Sequence, residues 1–299
     1  MAIRGTLAVA EPEQILFENS KVSLCLLLNR HARMLRIFDF RAGADPTKRG
    51  YVLSMAQREG VERVFTVVER DEVAVWVRLG FEREGTIPGF FKRSDAYVLG
   101  TTVPSALIAD AKPDGAEGES ARVALAEKTH QEAKRIAREM APPPVRAVRV
   151  QDAPEAIVKK AVVAAVRAGK ALTRFDSFGR DVLRAEYQFT ARGGFSLIAS
   201  VERQASFDNA FVELLTAPRT ERDATLAHAA LHQLCQRLTR EGTVASFGVS
   251  PIDDPMLGAI WIANGFRRTG TLSEHLLVGG KRCSAFLWTQ KLGQPRDDE

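Results

Sequence analysis

Short apolar runs separated by polar turns open the chain, and their spacing changes from period two to helical period and back. Residues 1–14 are polar or small and are expected to form a loose lead-in. Strand-like runs follow at 15–18, 22–28 and 34–40, with a turn around Asn29-Arg30-His31. Residues 51–59 read as a helix, 61–68 as an apolar strand, and 71–79 as a second helix with Asp71 as its N-cap. Two more strands are expected at 81–86 and 95–103. Strand-helix-strand-helix-strand predicts an α/β arrangement around one sheet.

The composition shifts after residue 103. Lys112-Pro113-Asp114-Gly115 is a turn-rich stretch, followed by a helix expected over 119–140 in which Ala133, Ile136, Ala137 and Met140 form a narrow apolar stripe. Pro142-Pro143-Pro144 stops that helix, so it reads as a connector that docks its stripe on one of two domains. A second series of elements then begins. Strand 145–150 leads to a helix capped by Asp152, with Pro154 in its first turn, running to about 168. Strands are expected at 172–175, 182–190 and 195–202, the last two joined by the tight turn Ala191-Arg192-Gly193-Gly194. The remaining series is strand 210–215, helix 224–241, strand 243–249, helix 254–263, and strands 266–272 and 283–290.

The later order repeats the earlier one, and so do residues. Trp76, Gly80, Phe81, Arg83, Gly85 and Thr86 recur as Trp261, Gly265, Phe266, Arg268, Gly270 and Thr271, always 185 positions on (261 − 76). Each copy reads as a last helical turn, a glycine able to take positive φ, and a strand. The expected domains are 15–105 and 145–292, joined by a connector over 106–144.

Composition adds little that conflicts with this. With 299 residues, 45% hydrophobic and 26% charged, the chain has ordinary globular proportions and room for two domains. Its net charge of +5 comes from 42 basic and 37 acidic side chains that are interleaved, which disfavours a nucleic-acid partner. Cys25, Cys235 and Cys283 lack metal-type spacing and are odd in number, as expected of free thiols in a reducing compartment. No leader-like stretch opens the sequence and no apolar run approaches the ~18 residues of a membrane span, so a cytoplasmic location without membrane contact is expected. His228 and His232 stand at i, i+4 but have no evident third ligand, and no metal site is assigned.

The element order, a helix ending in aromatic-x-x-x-Gly-Phe and a closing strand together resemble the GNAT acyltransferase fold. The stretch Gly80-Phe81 through Ile87-Pro88-Gly89-Phe90-Phe91 to Asp95-Ala96-Tyr97, the charged connector and the second domain are similar to the bacterial β-lysine N-acetyltransferases. That resemblance implies acetyl-CoA as cofactor, bound where unpaired amides at a helix N-terminus receive a pyrophosphate. In the second domain the matching positions are Leu214, Thr216, Arg222, Asp223, Thr225 and Ala227, with Thr225 in place of the central glycine. Thr225 crowds a phosphate and Asp223 repels one; the same stretch also reads as an ordinary loop whose helix is capped by Asp223. In the first domain Val52 and Ser54 replace both glycines, leaving Lys48 and Arg49 to hold a phosphate by charge.

Amine acetylation requires a base, polarising amides and an acid. Glu213 stands where the resemblance places the base, sharing a strand face with Phe211; a solvated strand carboxylate is the rival reading. Trp261 and Trp76 occupy the usual tyrosine acid position and read as core residues with one hydrogen bond each, leaving His275 or Cys283 as substitute acids. On the substrate side, Glu274 favours a cationic partner and Phe286 replaces an expected polar residue, which turns the specificity away from β-lysine. Two readings follow. One is an acetyl-CoA-dependent N-acyltransferase acting on a small amine or a protein amine. The other is an inactive GNAT-fold protein, with no cofactor, that binds a protein partner or senses a ligand; either is compatible with a homodimer.

Overall fold

The computed structural model describes residues 13–41, 43–103, 116–168, 183–218 and 220–293. The expected strand at 172–175 and the Lys112–Gly115 turn lie outside them. Thirteen strands form one mixed sheet in which the first half of the chain and the second half carry the same order of elements. In the first half these are β1 (Glu13–Glu18), β2 (Ser23–Asn29), β3 (Met34–Asp39), α1 (Pro46–Arg58), β4 (Arg63–Val68), α2 (Arg70–Arg78), β5 (Glu82–Ile87) and β6 (Ala96–Thr102). The second half has β8 (Leu183–Ala191), β9 (Phe195–Gln204), β10 (Asn209–Leu214), α5 (Glu221–Arg240), β11 (Ala245–Pro251), α6 (Pro255–Ala263), β12 (Arg267–Val278) and β13 (Lys281–Lys291). It is preceded by β7 (Arg149–Asp152) and α4 (Glu155–Arg167), and the long helix α3 (Ala116–Glu139) joins the halves.

The repeat holds in topology as well as in sequence. Across the sheet the order is β1-β2-β3-β4-β6-β5 and then β12-β13-β11-β10-β9-β8-β7, so each half inserts its last strand between the two before it. Among the described residues, only β3 with β4 and β10 with β11 run parallel; the other pairs are antiparallel. The two halves meet at β5 and β12, which pair at Gly85↔Gly270.

The repeated signature does what its residues dictate. Gly80 at φ +82° and Gly265 at φ +86° end α2 and α6, and Phe81 and Phe266 donate their amides back to the Trp76 and Trp261 carbonyls at 3.0 and 3.1 Å. Each tryptophan then meets its phenylalanine edge-on, at 4.9 and 4.7 Å between centroids. Both indoles are buried, yet neither Nε1 meets an acceptor among the described residues, so the hydrogen bond expected for each is missing.

Several helix starts differ from expectation, and at α1 the reason is that capping outranks the apolar period. α1 begins at Pro46, five residues early, since Asp45 accepts the Thr47 amide at 2.8 Å. α2 is entered through Glu69, and Asp71 lies inside its first turn. Residues 145–147 form a 3-10 turn before β7, and α4 starts after Pro154 without a side-chain cap from Asp152. Asp254, expected as the first residue of α6, is its N-cap, accepting from Leu257 at 2.9 Å.

One face of each half is covered by its own helices, giving separate cores around Trp76 and Trp261. The opposite faces share a core that draws Met34, Phe65 and Phe90 from the first half and Phe211, Phe247 and Leu287 from the second. The connector α3 docks on the second half, against α6: Ala133 is fully buried 3.1 Å from where Gly258 would carry a Cβ, and Arg268 reaches Glu127 at 2.9 Å. Among the described residues no helix is long and apolar enough to cross a membrane.

Candidate functional site

The parallel strands of each half part before they end. β10 and β11 pair from Asn209↔Ala245 to Val212↔Gly248 and no further. Past that point β10 stays with β9, through Glu213↔Ser200 and Leu214↔Ala199, and the chain continues the ladder when Leu215 donates to the Ile198 carbonyl and Ile198 donates to Thr216 Oγ1. β11 instead follows β13 to Pro251↔Ala285. Each strand keeps its antiparallel neighbour, so a gap opens between them. β3 and β4 part in the same way after Ile37↔Thr66.

Glu213 stands at the mouth of the β10–β11 gap. Ala210, Val212 and Leu214 enter the core beneath α5, whereas Phe211 enters the shared core, so Glu213 does lie on the Phe211 face. It is not solvated: it is 9% exposed and sits opposite Ser200 in a buried polar row with Glu202 and Gln204. Arg184 of β8 donates to Glu202 at 3.3 Å, and Gln188 links Gln151 to Ser196 at 3.0 and 3.3 Å. The row follows strict alternation in β9 against Leu197, Ala199 and Val201. That alternation is visible in the sequence but indicates a solvent face until a second layer is known to cover it.

The stretch matched to the pyrophosphate turn is helix. α5 begins at Glu221, with Thr220 as its N-cap rather than Asp223. The Asp223 amide donates to Thr220 Oγ1 at 3.1 Å and the Ala224 amide to the Thr220 carbonyl at 2.9 Å; Thr225 Oγ1 returns to the Glu221 carbonyl at 3.1 Å. Ala227 is fully buried in the core. Arg222 folds over the β8–β9 turn and donates to the Arg192 carbonyl at 2.9 Å, against Gly193. The Asp223 amide is therefore taken by the cap and the Ala224 amide by the first helical bond, and Glu221 and Asp223 place two carboxylates in the first turn, where they oppose a phosphate. These residues do not fit the phosphate end of acetyl-CoA. In the first half the equivalent stretch is likewise the first turns of α1, and Lys48, expected to attract phosphate, is a buried partner of Asp39 and of the Arg41 carbonyl.

The other predicted positions separate. Trp261 packs its ring against Gly248, where a Cβ would lie 2.5 Å from Cη2, at the last paired position before the gap. His275 is on an irregular part of β12 at the junction of the halves, 2% exposed and edge-on to Phe65 at 5.0 Å. Burial, aided by Arg63, Arg282 and Arg36, holds its imidazole well below the usual range, a poor state for a proton donor. Burial also pushes the Cys283 thiol up to about 11. Glu274, in the left-handed region at φ +48°, bonds Arg122 of the connector at 3.1 Å. Phe286 is fully buried on the opposite face from Glu213, beside Trp288 and His130. Thus Glu213, Leu214 and Thr216 come together at the end of β10, and His275, Glu274 and Phe286 do not join them. His228 is buried in α5, and among the described residues no group of three or more His, Cys, Asp or Glu could hold a metal.

No family model matches the chain, and no curated protein matches it. Similar solved structures include the ribosomal-protein-S18-alanine N-acetyltransferase from Escherichia coli, with a TM-score of 0.39 and 15% identity over 51% of this chain and 98% of that one. Spermidine N-acetyltransferase from Vibrio cholerae in complex with CoA and spermine gives 0.39 and 7% over 49% and 96%. A dodecameric form of the same enzyme gives 0.41 and 8% over 49% and 95%.

Proposed function

We propose that this chain is a tandem GNAT-fold protein, with domains at 15–105 and 145–292 and a connector at 106–144, whose coenzyme-A turns have become helix. In this reading it works as a ligand-binding or interaction module and not as a transferase. The observation that carries it is the first turn of α5, where Thr220 Oγ1 already takes the Asp223 amide and Glu221 and Asp223 set two carboxylates against an incoming phosphate. Titration calorimetry of the full chain with acetyl-CoA and with CoA is expected to give no heat of binding up to about 1 mM, a ligand level that detects even interactions of about −4 kcal/mol. Saturable binding in that range would overturn the reading.

A second reading has its own support. The parting of β10 and β11 beside a buried Glu213 supplies a base next to strand ends, which suits acyl transfer to a small amine or a protein amine. β-Lysine stays disfavoured as the acceptor. Thioester turnover by the purified chain, abolished by Glu213→Gln without loss of fold, would establish this reading against the first.

A further inference from the structure

Where β3 and β4 part, the first half holds a cleft of about 500 Å³, within the size range of small-molecule sites. Both halves build it. Phe38 comes from the end of β3 and Phe40 from just past it, Phe90 and Phe91 from the β5–β6 turn, and Phe207 from the 3-10 turn before β10. The turns are fixed across the junction: Asn209 Nδ2 donates to the Phe90 carbonyl at 2.7 Å, and Phe91 meets Phe207 edge-on at 5.3 Å. Gln204 and Ser206 add neutral polar atoms.

The charge around this aromatic wall is uneven. Glu69 and Glu72, at the start of α2, line one edge, and neither makes an ion pair among the described residues. Ser94 orients Glu69 with a 2.8 Å hydrogen bond. Glu72 is half-buried, and burial, with Asp39 and Glu69 nearby and Lys48 acting against them, raises its pKa. Asp39 also lines the cleft but is held by Lys48. Arg36 is the cation of the lining, and its guanidinium is stacked over Phe38, 4.4 Å from the centroid.

We propose that this cleft binds an organic amine with an apolar body, its ammonium held by Glu69 and Glu72 and its body seated among the Phe38, Phe40, Phe90, Phe91 and Phe207 rings. Carboxylates fix the charge, and ring faces attract both the cation and the apolar chain. An acid of the same shape would meet two like charges. The site requires neither coenzyme A nor Glu213, so it stands whichever reading of the C-terminal half holds.

The test titrates the full chain, without CoA, with 4-phenylbutylamine, 4-phenylbutanol and 5-phenylpentanoate. The amine is expected to bind about tenfold or more tightly than the alcohol, and the acid not at all, as a desolvated charge pair requires. Glu69→Gln, at an exposed position that leaves the fold intact, and Glu72→Gln are each expected to weaken the amine about fivefold and leave the alcohol unchanged. Phe40→Ala, at a half-exposed ring, should weaken both. Equal binding of amine and alcohol, amine binding indifferent to Glu69→Gln, or no amine binding at about 10 mM would overturn the proposal. A positive amine titration beside a silent CoA titration would support both proposals, and the reverse would reject both, so the two are scored separately.

Discussion

Gly85 and Gly270 are the same position of the repeat, and they face each other in the antiparallel pair where the two halves join. A Cβ on Gly270 would lie 2.5 Å from the Gly85 Cα and from the Glu84 carbonyl oxygen; one on Gly85 would lie 2.8 Å from Leu287 Cδ2. The pairing of equivalent residues makes the halves approach like the subunits of a two-fold dimer, and neither side of the crossing has room for a side chain. Gly270→Ala is expected to lower stability by about 2–3 kcal/mol, the upper range for forced overpacking. Gly50→Ala, in α1 with no atom within 4 Å of its Cβ, should instead raise it by about 0.5–1 kcal/mol. Denaturant midpoints at constant slope would check both, and a neutral Gly270→Ala would discount the crossing as a constraint.

The join is also held by charge. Arg63 of β4 and Glu84 of β5 form an ion pair at 1% and 5% side-chain exposure, and Glu84 additionally accepts the Ser273 amide of β12 at 3.3 Å. The Arg63 side chain occupies the space a Gly100 Cβ would need. Removing one partner of such a pair strands the other charge, so Glu84→Leu is expected to cost about 3–5 kcal/mol. Gly100→Ala should displace Arg63 and act on the same contact. Its effect and that of Glu84→Leu should therefore sum to less than additivity in a double-mutant cycle, and full additivity would show that Gly100 acts elsewhere.

The part of this architecture that was legible in the sequence is the part set by local chemistry. Trp-x-x-x-Gly-Phe had to be a helix end and a strand entry, and both copies are, with the same positive-φ glycine and the same edge-on ring pair. What could not be read is what lies across the sheet. Ser200, Glu202 and Gln204 alternate as a solvated face would, yet all three are buried, with Arg184 of β8 on Glu202 and α4 packed on the same face at Ile198. Likewise Thr220 and Asp45 outrank the apolar period as helix starts, because a side-chain cap adds about 1 kcal/mol that periodicity does not record. That single difference moved the phosphate-turn candidates into helices. His275 could be proposed as an acid from its type, but its place between the halves depends on a bulge in β12 that the pattern does not announce.

Buried histidines make the fold sensitive to acid. His130, on α3 beside Phe286 and Trp288, is lowered to about 4 by burial, with Arg268 and Lys134 adding; His228 and His275 are also lowered, mainly by burial. An imidazole whose folded pKa lies below its unfolded value of about 6.5 binds fewer protons folded than unfolded in between, so stability rises with pH there. Stability is therefore present above pH ~6.5 and is lost as pH falls toward 4. Glu84 works the other way: burial raises its pKa, so its share declines as pH climbs through the range above the unfolded carboxyl value. Urea midpoints measured from pH 4 to 8 should fall on the acid side, and His130→Gln should flatten that limb. An unchanged slope would place the acid sensitivity in other groups.

Trp261 offers a test of the proposed loss of transferase chemistry. Its indole is 1% exposed, edge-on to Phe266 and pressed against Gly248 at the point where β10 and β11 part. Trp261→Tyr puts a phenol where the GNAT resemblance implies an acid but removes ring volume from a packed core, at an expected cost of about 1–3 kcal/mol from the partial cavity. If the coenzyme-A turn is the deeper loss, the variant folds with a lower Tm and still neither binds acetyl-CoA nor turns it over. Adding Thr225→Gly should not rescue it, because Thr225 lies inside α5 and the Asp223 and Ala224 amides remain bonded to Thr220. Thioester turnover in Trp261→Tyr alone would reverse this order and make the acid the one missing part.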